Sequence, residues 1–136
     1  MRGLYLITND DPLEVLLAKL EGAFANGGIA VLQYRRKKVT KEDQIYEVEY
    51  MKALCAEYAV PFVINDDLEM AVKYGVGVHL GQDDGSIADA AAQLPQGVLI
   101  GCSCNNSLEL AEQAIADGAN YVAFGAIYAT DTKPEA

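Results

Sequence analysis

The chain has 136 residues, room for one domain with its own core. Its 20 acidic residues against 10 basic ones give a formal charge of -10, which argues against nucleic acid and anionic membranes as partners. A hydrophobic share of 51% is ordinary for a soluble protein, and no apolar run is long enough to cross a bilayer.

Cys55, Cys102 and Cys104 make an odd count, and the start shows no secretory pattern, so the expectation is reduced thiols and a cytoplasmic protein. Leu4 to Thr8 reads as a buried strand. Asp11-Pro12-Leu13-Glu14 then reads as a helix start, with Asp11 as N-cap and proline at the first helical position. Leu13, Leu16, Leu17, Leu20 and Phe24 recur at helical spacing up to Gly27-Gly28. Ile29 to Gln33 is a second strand running into Tyr34-Arg35-Arg36-Lys37-Lys38. Thr40 to Asp43 opens a second helix, whose stripe is Ile45, Val48, Met51, Leu54 and Cys55. Phe62 to Ile64 is a third strand, ending in Asn65-Asp66-Asp67, with Asp67 as cap of a short helix to Gly75.

Val76 to Leu80 is a fourth strand, ending in Gln82-Asp83-Asp84. Ser86 opens a helix that stops at Pro95. Val98 to Ile100 begins a fifth strand leading to Gly101-Cys102-Ser103, Ser107 opens another helix, and Tyr121 to Phe124 is a sixth strand. Six strands alternating with five helices fit either a doubly wound open sheet or a (β/α)8 barrel. The first turn carries no glycine-rich dinucleotide fingerprint, and polar residues of functional type follow strands two to six. An open sheet concentrates its site at one switch point, whereas a barrel gathers contributions from many strand ends. The reading is therefore an α/β chain forming an incomplete (β/α)8 TIM barrel, residues 1–136 being the N-terminal portion of one barrel domain. Edges left open by that count would need cover, which leaves homo-oligomerisation open.

Three constellations carry chemistry. Gln33, Arg35 and Lys37 share a face if strand geometry persists, and would offer an amide, a guanidinium fork and an ammonium to a phosphate or pyrophosphate; the alternative is a solvated basic turn, the reading given to Arg36 and Lys38. Asn65, Asp66 and Asp84 stand at neighbouring strand tips and suit Mg²⁺, which takes one or two carboxylates beside water and phosphate. Asp67 and Asp83 need no role beyond cap and turn. Thr130, Thr132 and Lys133 follow the sixth strand in a loop able to wrap an anion. His79 is expected to be a buried, hydrogen-bonded imidazole. Ser103, with no histidine close in sequence, reads as a hydrogen-bond donor rather than a nucleophile.

Taken together, LYLITND, QYRRK at Gln33 to Lys37, FVINDD through GVHLGQDD, GCS at Gly101 to Ser103 and GANYVAFGAIYATDTKP resemble the thiamine-phosphate synthase family across essentially the whole chain. The resemblance implies a (β/α)8 barrel and a Mg²⁺-dependent transferase of thiamine biosynthesis. That enzyme moves the hydroxymethylpyrimidine group from its diphosphate to thiazole phosphate, through a pyrimidine-stabilised carbocation, and releases pyrophosphate. It further implies that Gln33, Arg35, Lys37 and Asn65 hold the pyrimidine diphosphate and that Asp66 and Asp84 ligate Mg²⁺. Ser103 would contact the pyrimidine and Lys133 its diphosphate, with Thr130 and Thr132 toward the thiazole phosphate; Arg35, Lys37 and Lys133 would be the catalytic charges. Ala126 and Ala129 stand where the family usually has prolines, and its last strands and glycine-rich phosphate loop have no counterpart in these residues. The other readings are a barrel relative that binds thiazole phosphate without joining substrates, as isomerase or regulator, and an inactive fragment.

Overall fold

The computed structural model describes residues 3–81, 85–105 and 107–124. They form β1 (Leu4–Ile7), α1 (Leu13–Asn26), β2 (Ile29–Tyr34), α2 (Lys41–Tyr58), β3 (Phe62–Asn65), α3 (Leu68–Tyr74), β4 (Gly77–Leu80), α4 (Ile87–Gln93), β5 (Ile100–Ser103), α5 (Leu108–Ala116) and β6 (Tyr121–Ala123). The sheet order is β1-β2-β3-β4-β5-β6, and β1 with β2, β4 with β5 and β5 with β6 pair in parallel. Strand order that follows chain order, with a helix in each crossover, is the topology of a (β/α)8 barrel, of which six strands and five helices are described here. None of those helices is long and apolar enough to cross a membrane.

The chain divides into two compact units, 1–63 and 64–136. In the first, Leu16, Leu20 and Phe24 of α1 are buried, as their spacing requires, and Val31 and Leu32 of β2 are fully inaccessible. Helix α2 buries Val48, Met51, Leu54 and Cys55, and Thr40 caps it by accepting from the Asp43 N–H at 3.2 Å. Its end turns on Ala59, whose φ of 56 closes the last turn without a glycine.

Two local expectations fail in this unit. The N-cap of α1 is Pro12, without a side-chain cap; Asp11 instead accepts from Lys19 Nζ at 3.0 Å and from Asn9 Nδ2 at 3.1 Å. The lysine, then the asparagine, hold the Asp11 carboxyl below its ordinary range, so a local ion pair has outcompeted the cap. Strand β1 is also less buried than its run of apolar residues suggests: Leu4 is 64% and Ile7 52% exposed. Among the described residues it stands at the end of the strand order and pairs with β2 alone.

In the second unit all four residues of β4 are buried, the burial expected of an interior parallel strand. Asp67, Ser86 and Ser107 cap α3, α4 and α5 by accepting from the N–H three residues on. Strand β5 begins two residues later than the apolar pattern suggested, at Ile100, where Asn120 brackets it. Ile100 N–H donates to Asn120 Oδ1 and Asn120 N–H to Ile100 O, both at 2.7 Å. This pairing pins the starts of β5 and β6 to each other.

Candidate active site

The first unit holds the basic residues that the sequence singled out. Along β2 the side chains alternate, and the hydrogen bonds show in which directions. Tyr34 Oη donates to Glu47 Oε1 on α2 at 2.7 Å. Two residues on, Arg36 grips the same carboxylate twice, Nε to Oε1 and Nη2 to Oε2, each at 3.0 Å. Gln33 leaves from the opposite face, where its Nε2 donates to Tyr5 Oη on β1 at 2.8 Å. The alternation thus outlasts the strand by two residues, and Arg35, between Tyr34 and Arg36, occupies a Gln33-side position.

Arg36 is therefore no solvated turn residue, contrary to the sequence reading. It is 6% exposed, and its Nη1 also donates to the carbonyls of Asn9, at 2.9 Å, and Asp11. The hydrogen bonds to Glu47 raise its pKa further, so the pair stays ionised. Burial, together with the hydrogen bond to the same carboxylate, pushes the Tyr34 phenol far above its ordinary value. One trace of this cluster was present in the sequence: Glu47 falls in helical register with Met51, Leu54 and Cys55, on the stripe that had to be buried.

The loop after β2 is braced from both sides. Arg35 N–H donates to Thr8 Oγ1 at 2.7 Å and Lys38 N–H to Asp10 Oδ1 at 3.2 Å, while Gln44 Nε2 donates to the carbonyls of Arg36 and Val39. Gln33 is 3% exposed, Arg35 is half-buried and Lys37 is open to solvent. Exposure thus rises along the row from Gln33 through Arg35 to Lys37.

The second unit, taken by itself, holds an acidic strand tip and a hydroxyl. Asn65 ends β3 half-buried, and the exposed Asp66 follows it with a φ of 66. This left-handed conformation is tolerated by aspartate but is uncommon, and residues held so concentrate at functional sites. The Asp66 N–H is anchored on His79 O at 2.8 Å. Asp67, as expected, is spent on the α3 cap, where it accepts from Met70 N–H at 3.0 Å.

His79 is 7% exposed and bonded through both ring nitrogens, Nδ1 to Tyr121 Oη at 2.9 Å and Nε2 to Ser103 Oγ at 2.8 Å. The expectation of a buried, hydrogen-bonded imidazole holds. Ser103 has no histidine close to it in sequence but meets one in space: 24 residues separate Ser103 and His79 along the chain, but only one strand pairing separates them in the sheet.

Among the described residues no group of three His, Cys, Asp or Glu side chains could hold a metal ion. The donor chemistry of the expected Mg²⁺ set still fits a hard cation, since Asp66 presents an exposed carboxylate at a strand tip. Its expected co-ligand Asp84 lies outside the described residues, as do Thr130, Thr132 and Lys133. Cys55, Cys102 and Cys104 are buried free thiols.

Comparison with known proteins places the chain in a family. In the solved structure of thiamine phosphate pyrophosphorylase from Pyrococcus furiosus, a chain 29% identical superposes with a TM-score of 0.78. The match covers 95% of the present chain and 62% of that one, so the present chain spans less than two thirds of that relative's length. A family model described as thiamine monophosphate synthase matches residues 4–136, nearly end to end. The chain belongs to the thiamine monophosphate synthase family.

Proposed function

We propose that the protein serves thiamine-phosphate synthesis in the cytoplasm, transferring the hydroxymethylpyrimidine group from its diphosphate to thiazole phosphate with loss of pyrophosphate. The observation that carries this reading is the alternation at β2. Arg36 is turned into the Glu47 clasp, which leaves Gln33, Arg35 and Lys37 as the set available to a diphosphate. Free buried thiols suit a reducing compartment. On this reading residues 1–136 form the N-terminal portion of one barrel domain.

The chemistry asked of these residues is electrostatic. Substitution at the methylene carbon between pyrimidine and diphosphate builds charge on the departing pyrophosphate and leaves a cation for the thiazole nitrogen to trap. Arg35 offers a planar fork and Lys37 a mobile point charge to those oxygens, and Lys133 would add a third cation. Asn65 and Gln33 would hold the pyrimidine diphosphate, and Ser103 the pyrimidine. Thr130 and Thr132 would face the thiazole phosphate. Asp66 and Asp84 would hold Mg²⁺, which when bound neutralises charge on the diphosphate. No general base is required, in keeping with a site whose histidine has both nitrogens occupied by hydroxyl partners.

The test is a pyrophosphate-release assay on this chain with both substrates, with and without Mg²⁺, beside the same chain lengthened by two further βα units. Release that requires both substrates and stops on chelation supports the reading. Silence from both proteins refutes it, and release from the longer protein alone assigns the missing part to the thiazole-phosphate side.

A further inference from the structure

His79, Gly101 and Tyr121 lie in one row across three neighbouring strands, His79 paired with Gly101 and Gly101 with Tyr121. Residues in one row of a parallel sheet point to the same face, and the middle position here has no side chain. The phenol of Tyr121 crosses that gap and reaches His79 Nδ1 at 2.9 Å from two strands away. A Cβ at Gly101 would fall within the Tyr121 ring, so the glycine is a condition of the contact. Ser103, two residues beyond Gly101 and so on the same face, meets the other ring nitrogen at 2.8 Å.

Serine, histidine and a third oxygen in a line is also the outline of a nucleophilic triad, and the third group decides between the two roles. A triad orients its histidine with a carboxylate, whose charge stabilises the imidazolium formed when the serine loses its proton. Tyr121 brings a neutral phenol, which offers no such charge. A phenol is also the stronger donor and the weaker acceptor of the two hydroxyls, so the favoured chain runs Tyr121 O–H to Nδ1 and Nε2–H to Ser103 Oγ. Nε2 then carries a proton and cannot accept one from the serine.

We propose that Tyr121 and His79 form a positioning relay that locks the imidazole in its Nε2–H tautomer and turns the Ser103 hydroxyl outward as a hydrogen-bond donor to an acceptor nitrogen of the pyrimidine ring. The relay rests on the transferase reading for the identity of the ligand, but its hydrogen-bond direction does not. Gly101 is the enabling gap.

Long-range ¹⁵N–¹H correlation of the imidazole in the 136-residue chain decides the direction. The relay requires Nε2 in the protonated range and Nδ1 in the unprotonated one. Tyr121→Phe, which removes the donor, should bring the Nδ1–H form into view. A wild-type ring protonated at Nδ1, or a Tyr121→Phe spectrum unchanged from wild type, overturns it, as does labelling of Ser103 by a fluorophosphonate probe. In whichever version of the protein releases pyrophosphate, Tyr121→Phe should lower kcat by up to about 10²-fold, the scale of a displaced contact, with KM for thiazole phosphate unchanged. In a Ser103→Ala background the same substitution should have no further effect; a purely structural tyrosine would lower both backgrounds alike. If no version turns over, the functional reading fails, while the ring spectrum still settles the relay.

Discussion

Arg36 and Glu47 face each other through two parallel hydrogen bonds, Nε to Oε1 and Nη2 to Oε2, with both side chains 4% exposed. Removing one partner from such a pair strands a charge in the interior, which costs more than the pair itself contributes. Glu47→Ala should therefore destabilise the chain by about 3–5 kcal/mol, read as a fall in the urea midpoint. Glu47→Gln keeps an acceptor for Tyr34 and should cost less. Equal midpoints for wild type and Glu47→Ala would show that the clasp does not hold the unit together.

The same clasp separates Arg36 from its neighbours in placement. Arg35 is half-buried on the Gln33 side, whereas Lys38 is exposed and bonds Asp10 through its backbone. Arg35→Ala should cut pyrophosphate release by about 10²–10³-fold, the usual loss of a transition-state charge partner, with little change in stability. Lys38→Ala should leave the rate within about twofold, since an exposed lysine away from the ligand contributes little. Similar losses from both would mean that a diffuse basic surface, not a directed fork, meets the diphosphate.

Gly101→Ala tests the sheet itself. The added methyl must displace the Tyr121 ring, breaking its bond to His79, and overpacking of this kind costs about 1–3 kcal/mol. Because the obstruction is one side chain, Tyr121→Ala should relieve it. The double variant should be more stable than the sum of the two single losses, measured as a double-mutant cycle in urea. Strict additivity would place the strain elsewhere.

Burial pushes the Cys55 thiol up from an ordinary 9.0 to about 12. The sign follows from which state holds the proton. Below pH 9 both states keep it; above, the unfolded chain releases its proton first and the folded state loses stability, until the folded thiol also ionises near pH 12. The raised Tyr34 phenol acts in the same direction from its ordinary 10.0 upward. Unfolding free energy should therefore drop between pH 9 and pH 10 with a slope approaching about 1.4 kcal/mol per pH unit for each proton involved. Cys55→Ala should flatten that drop; an unchanged slope would show that the thiol ionises as readily folded as unfolded.

Much of the fold was legible in the sequence because its signals are local. All four helix N-caps formed by side chains among the described residues, at Thr40, Asp67, Ser86 and Ser107, sit where a hydroxyl or carboxylate precedes an apolar stripe. Alternation of strand and helix patterns was enough for the βα order. Asp11 escaped this logic because Lys19, two helical turns away, competes for the same carboxylate.

What the sequence determined by itself, then, was the order of elements, their faces, and the residue types gathered at the strand tips, since each depends on neighbours within a few positions. Only the tertiary structure decided that Arg36 is a buried clasp while Arg35 is not, and that Tyr121 reaches His79 over Gly101. Both outcomes depend on which strand or helix lies alongside, a matter of pairing and packing between segments 11 to 42 residues apart, which no local periodicity encodes.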